Sequence, residues 1–460
     1  MSLGCGMQGG ESAEDLGVAR EDLLIANSRK IVSNTSLPAA ETSASWNTAA
    51  RIVAPCKTGS AVVIAWEKDE SSPSSWTTNC DGGPLMFNAP MAMSTTNLGV
   101  ILDGDFNVAT SYGNDVNVVG VPGHDGQFAI VSLMATSGGT DMNDVLLASS
   151  EDGGRSFTAR TVVNDTPGVD RPVVAVDPGA TDGTMYVAWE QNESLRFRKV
   201  TLGTDGSTTL DPVQVVSPSN SLGAFTLAVQ HGSPNTVWLA YSNTIGAHNP
   251  GDCGNPSQAP VTWWAGSTTN DGVSWAWQGS PIDTDPYWIW CASDQTNLGY
   301  GNDTRPELLY APGLNELAVA YTKLDISDHT LRVFVATFTP GGTGEWTVQK
   351  PANQASSADH FRATFASFPT SSTSQAFGLS WLNADASGNV TAWMTTSTTG
   401  ALSWAQPAQI SATSWTFANA LSGDYNGMAA LGDGSNEFWD TWIARGPTHD
   451  DAVTAGWTMP

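Results

Sequence analysis

Basic side chains are scarce in this sequence. Only 18 Lys and Arg stand against 45 Asp and Glu, a formal net charge of −27 over 460 residues. Such a surface repels phosphate, which excludes nucleic acid and anionic lipid as partners. It leaves calcium, cationic partners and neutral or locally captured glycans. Long apolar runs are absent too: nothing approaches the roughly 18 consecutive residues of a membrane span. The six His are scattered, with no His-x-x-x-His and no Cys-x-x-Cys, so no zinc or iron site is legible. No Gly-x-Ser-x-Gly or phosphate-cradling glycine loop appears. What is plentiful is Trp, 19 beside 14 Phe, together with Gly, Ser and Thr. That is the composition of strands and turns.

There are five cysteines. Cys5, in Leu-Gly-Cys before a polar, Gly-rich stretch, resembles the end of a bacterial lipoprotein signal, without the apolar segment that would precede it. Residues 1–26 are accordingly expected to be a flexible segment, with a lipid tether at Cys5. Cys56, Cys80, Cys253 and Cys291 form an even set, which in an acidic, Trp-rich chain fits two disulfides in an exported protein at the cell surface, in the periplasm or outside the cell. Four free buried thiols are the alternative.

One outline recurs along the chain: a short apolar strand, a Pro/Gly turn, and a second strand ending near Trp or Tyr. It is seen in "RPVVAVDPGATDGTMYVAWE" from Arg171, "RPELLYAPGLNELAVAYTK" from Arg305 and "RATFASFPTSSTSQAFGLSWLN" from Arg362. With copies from Ala50, Asn117, Ala224 and Gly423 there are seven. The spacing gives each copy room for four short strands. Units that cannot bury both faces alone, stacked radially, make a seven-bladed β-propeller. The expectation is one all-β domain over 27–460, monomeric, with a strand near 29–34 completing the last blade and removing its open edge.

A second pattern follows the third strand of some copies. Ser150-x-Asp152-x-Gly154-x-x-Phe157 and Thr268-x-Asn270-x-Gly272-x-x-Trp275 are good versions, and Ser403-Trp404 ends a decayed one. In each, the Asp or Asn ties the turn, Gly supplies positive φ, and the aromatic fills the gap between sheets. These resemble the Asp-boxes of the sialidase-like (BNR-repeat) propeller superfamily. They staple a fold and imply no chemistry by themselves.

Ligand sites in such a fold belong where the first strands begin. One register there reads Thr48, Asp115, Arg171, Gly223, Arg305, Arg362 and Asp424 in the seven copies. Arg171, Arg305 and Arg362, three of the chain's twelve arginines, thus occupy equivalent places. Guanidinium groups in that arrangement suit a carboxylate, sulfate or phosphate. Alternatively they form a collar of ion pairs, Arg171 with Asp170 or Asp115 and Arg362 with Asp424. The resemblance to sialidases implies the first role, since that family holds the sialic acid carboxylate on three arginines. It also implies a Tyr nucleophile, for which Tyr425 is the candidate, with Glu307 to activate it and an Asp acid such as Asp170. The departures are seven blades instead of six and no intact Arg-Ile-Pro. Tyr287, Trp288 and Trp290, between Cys253-bearing and Arg305-bearing segments, are candidates for stacking on sugar rings, held by a Cys253–Cys291 pair. Cys56 and Cys80 would pair on the opposite face. Asp103, Asp105 and Asn107 in "DGDFN" have the opening spacing of a calcium loop but lack its later Gly and Glu. No other cofactor is implied. The functional expectation is a propeller recognising a carbohydrate ligand at the channel entrance, with a retaining sialidase and a non-catalytic interaction scaffold as the alternatives.

Overall fold

The computed structural model describes strand backbone at 24–25, 29–30, 39–48, 60–69, 87–95 and 103–104. From 112 to 459 it describes the chain outside 136–141, 152–158, 219–222, 244–260, 286–304, 417–425, 431–436, 446–449 and a few isolated positions. The described residues contain strands and turns and no helix. None of them forms a helix long and apolar enough to cross a membrane.

The strands fall into seven antiparallel sheets, designated I to VII in chain order. Sheet I comprises Ala39–Thr48, Ser60–Asp69, Phe87–Thr95 and Asp103–Gly104. Sheet II comprises Tyr112–Gly120, Phe128–Ala135, Met142–Ser150 and Ala159–Val162. Sheet III has Val169–Val176, Thr184–Gln191 and Ser194–Leu202, its outer edge shared by Thr208–Leu210 and Gln214–Val216. Sheet IV has Phe225–Gln230, Thr236–Ser242 and Val261–Thr268, with Ala276–Trp277 and Asp283–Asp285 outermost. Glu307–Ala311, Glu316–Asp325, Thr330–Phe338 and Thr347–Gln349 make sheet V. Sheet VI consists of Ala358–Ser371, Ser374–Asp385 and Asn389–Ser397, with Ala408–Gln409 and Trp415–Thr416 at its edge. Sheet VII has Gly427–Ala430, Glu437–Arg445 and Asp450–Thr458, the last paired with Leu24–Ile25 and Arg29–Lys30 from the other end of the chain. Each first strand packs beside the first strand of the next sheet, and that of sheet VII packs beside that of sheet I.

Among the described residues the cores lie between sheets, because sheets III to VI are apolar on both faces. Val173 and Ala188 of sheet III bury against Leu227 and Leu239 of sheet IV. Ala320 and Val333 of sheet V do the same against Leu379 and Trp381 of sheet VI. Small residues on the second strands let sheets approach closely. A Cβ at Gly378 would stand 2.7 Å from Phe438 of the next sheet, so only glycine fits.

Sheet I corrects one sequence expectation. Alignment of the copy beginning at Ala50 on its Pro-Cys-Lys-Thr-Gly turn puts Thr48 at the entrance. The first strand is instead Ala39–Thr48, and Thr48 pairs with Ser60 at the opposite end. That strand reads Ala-Ala-Glu-Thr-Ser-Ala-Ser-Trp-Asn-Thr. It carries no Val or Ile and no Pro/Gly landmark, so its pattern is too weak to find by alignment.

Candidate functional site

Four first strands begin with an irregularity; in sheet I it lies between Ala39 and Thr42, and in sheets II, III and VI it falls at the same register. In sheet III, Asp170 pairs with Glu190 and Val173 with Ala188, leaving Arg171 and Pro172 opposite Trp189 alone. In sheet VI, Phe361 pairs with Leu382 and Thr364 with Ser380, leaving Arg362 and Ala363 opposite Trp381. Sheet II has a bulge at Asp115 and Val116. In sheet V the pairing starts at Glu307 with Ala320, so Arg305 and Pro306 precede it at the corresponding place. The three arginines expected to share a register do share it.

Their backbone is unusual. Arg171 has φ 50° and Arg362 φ 54°, both in the left-handed region. An extra residue in that conformation is a recognised form of β-bulge, but the position normally belongs to glycine. Holding an arginine there costs on the order of 1 kcal/mol each time. The bulge turns the side chain out of the strand's alternation.

The charges around the arginines are distinct. Arg171 receives Asp170 at 3.6 Å and Glu190 at 3.5 Å, and its backbone amide donates to the Asp170 carboxylate at 2.9 Å. Asp170, the candidate acid, is exposed and tied to Arg171 in this way. Arg305 Nε lies 3.3 Å from Glu307 Oε1. Burial pushes the Glu307 carboxyl above its ordinary range, and the Arg305 charge opposes that shift. Arg362 is buried, beside the buried His360 and Asp359 of the same strand. Asp359 accepts the Leu331 amide of sheet V at 2.7 Å, and the His360 ring lies edge-on to Trp381, 6.1 Å between centroids. Glu190 was not singled out from the sequence. Its position at the end of the second strand, directly across from Asp170, was the available signal.

The Asn270 turn is built as the sequence leads one to expect. Its carboxamide oxygen accepts the Ser274 amide at 3.0 Å, its NH₂ donates to the Ser274 hydroxyl at 2.8 Å, and the Gly272 amide donates to Thr268 Oγ1 at 3.1 Å. Gly272 has φ 87°, and Trp275 packs edge-on against Phe197 of sheet III at 5.5 Å. In the earlier version Ser150 is the buried end of a strand. Asp152, Gly154 and Phe157 lie outside the described residues, as do Tyr425, Asp424, Tyr287, Trp288, Trp290, Cys5, Cys56, Cys80, Cys253, Cys291, Asp105 and Asn107. Asp103 is described only as strand backbone. Among the described residues no cluster of three His, Cys, Asp or Glu could hold a metal ion.

No family model and no curated sequence matches this chain. Among solved structures it is similar to a protein of unknown function from Dyadobacter fermentans, with a TM-score of 0.50 at 11% identity, over 95% of this chain and 99% of that one. A Hadza microbial sialidase gives 0.44 at 12% identity, over 94% of this chain and 92% of that chain. An endosialidase of phage phi92 gives 0.45 at 9%, over 94% of this chain and 69% of that chain. At such identities a likeness concerns the path of the backbone and not the chemistry.

Proposed function

We propose that the seven sheets are the blades of one closed β-propeller, sealed by the N-terminal strands in the last blade, and that it binds an acidic glycan where the first strands begin. The carrying observation is the pair of left-handed arginines, Arg171 and Arg362, at equivalent bulges with Arg305 in register between them. Glycine would serve the backbone better at both bulges, so the guanidinium groups have another use. In a chain of net charge −27, three cations at equivalent places favour a carboxylate held by bidentate donors. A sialic acid is the substrate class this reading names first.

A hydrolase of sialidase type is the second reading. Glu307, partly buried beside Arg305 with its carboxyl raised, favours it. Tyr425 stands two residues before Gly427, the offset that separates Arg171 from Val173 in sequence. It would be the nucleophile, with Glu307 taking its proton. The Asn270 turn supports the Asp-box superfamily, and the exported setting goes with that reading.

Titration calorimetry with 3′-sialyllactose and with lactose tests the binding. The expected result is saturable binding of the sialylated sugar alone, lost in Arg305→Ala. Absence of binding by either sugar would end the acidic-glycan reading. Turnover of a fluorogenic sialoside that disappears in Tyr425→Phe would select the hydrolase over the lectin-like protein.

A further inference from the structure

The seams between sheets can be compared position by position, because the registers are equivalent. At the III–IV seam the first-strand residue is Val173, its cross-strand partner is Ala188, and the next sheet contributes Leu239. At the VI–VII seam the same three places hold Thr364, Ser380 and Asp440. The positions corresponding to Asp440 in sheets III, IV, V and VI are Val187, Leu239, Val319 and Leu379, all fully buried. A carboxylic acid thus occupies a core position that is aliphatic in four other sheets. Asp440 itself is only 2% exposed.

We propose that Asp440 is a proton-operated latch between sheets VI and VII, neutral and hydroxyl-bound when the seam is tight, and ionised when the seam loosens. The Thr364 hydroxyl donates to Asp440 Oδ1 at 3.2 Å and lies 2.7 Å from the Ser380 hydroxyl, so the cluster spans both sheets. The inference does not depend on glycan binding. Burial raises the Asp440 carboxyl to about 7, against the opposing effects of the Ser380 and Thr364 hydroxyls and the Thr441 amide. Among the described residues, its same-face neighbours along and across the strands of sheet VII are apolar. Phe438 and Trp442 flank Asp440 on its own strand, Met428 pairs with it from the first strand and Ala455 from the third. The charged and titratable residues of the strand that carries Thr364 are Asp359, His360 and Arg362. Asp359 accepts the Leu331 amide, and its cross-strand partner Ala384 belongs to the cluster that holds Phe438 and Trp442, so Asp359 shares the face of Thr364 five residues along the strand; His360 lies against Trp381 on the face toward sheet V.

A carboxyl whose native value lies above its unfolded value binds more protons in the native state. Its contribution is fully present below about the unfolded value of 3.8 and is lost as pH rises through about 7. The seam is therefore tightest in mild acid.

Thermal unfolding midpoints of the full chain at pH 5 and pH 8, for wild type and Asp440→Asn, test this. The many other carboxyls titrate alike in both proteins and cancel in the comparison. The expected result is a fall in midpoint from pH 5 to pH 8 that is smaller in Asp440→Asn than in wild type. Asp440→Leu, which restores the aliphatic residue of the other sheets, should exceed wild type at pH 8. Hydrogen exchange, corrected for the intrinsic pH dependence, should quicken in Glu437–Arg445 above neutral pH in wild type but not in Asp440→Asn. Equal falls in wild type and Asp440→Asn, with equal exchange, would overturn the proposal even if Asp440→Leu failed to fold.

Discussion

Arginine at a left-handed bulge position can be interrogated by replacing it with the residue the backbone prefers. Arg171→Gly should relieve the strain of φ 50° while losing the side chain and its two ion pairs at 3.5–3.6 Å. Those pairs are partly exposed and contribute little. The strain relief and the added chain entropy of glycine nearly offset each other, leaving stability within about 1 kcal/mol of wild type. Affinity for an acidic sugar should nonetheless fall several-fold, read by calorimetry beside a urea unfolding curve. A variant that unfolds much earlier would instead make Arg171 a structural member of an ion-pair collar. The position of these arginines was legible because Arg-Pro or Arg-Ala opens three of the seven copies. Their backbone conformation was not, since a bulge is set by the pairing of two strands and leaves no mark in either one.

Turns were readable elements, and the first strand of sheet I was not. The Asn270 turn could be read from Thr268, Asn270, Gly272 and Trp275 because each does a separate local job, and the hydrogen bonds fall where those jobs place them. Gly272→Ala should be costly for two reasons at once. A Cβ there would stand 2.4 Å from Phe197 Cδ1, and φ 87° is strained for any side chain. The loss should be on the order of 2 kcal/mol, measured by urea unfolding. A loss near zero would mean that the turn does not staple sheet IV to sheet III. The first strand of sheet I was missed because its Ala, Ser and Thr residues give no hydrophobic period to follow. Asp440 was overlooked for a different reason. Its signal, an acid between Phe438 and Trp442 where other copies have Val or Leu, appears only when the registers of all the sheets are laid side by side.

At the scale of the molecule, repetition makes the fold legible, and the two ends of the chain meet in one sheet. Leu24–Ile25 and Arg29–Lys30 pair with Asp450–Thr458, so sheet VII is completed from the far end of the sequence. A variant lacking residues 1–31 should expose that edge, unfold at a lower temperature and self-associate by strand addition. Light scattering with a thermal melt would register both effects, and an unchanged melt would show that sheet VII stands without its N-terminal strands. Chemistry was less legible than architecture, because a repeat tells where side chains converge and not what they hold. The central claim is that Arg171, Arg305 and Arg362 converge on one acidic ligand. A crystal structure of the full chain with N-acetylneuraminic acid tests it most directly. The expected result is the sugar carboxylate within hydrogen-bonding distance of at least two of these guanidinium groups. A structure in which each arginine is turned to its neighbouring Asp or Glu, with no sugar among them, would contradict it.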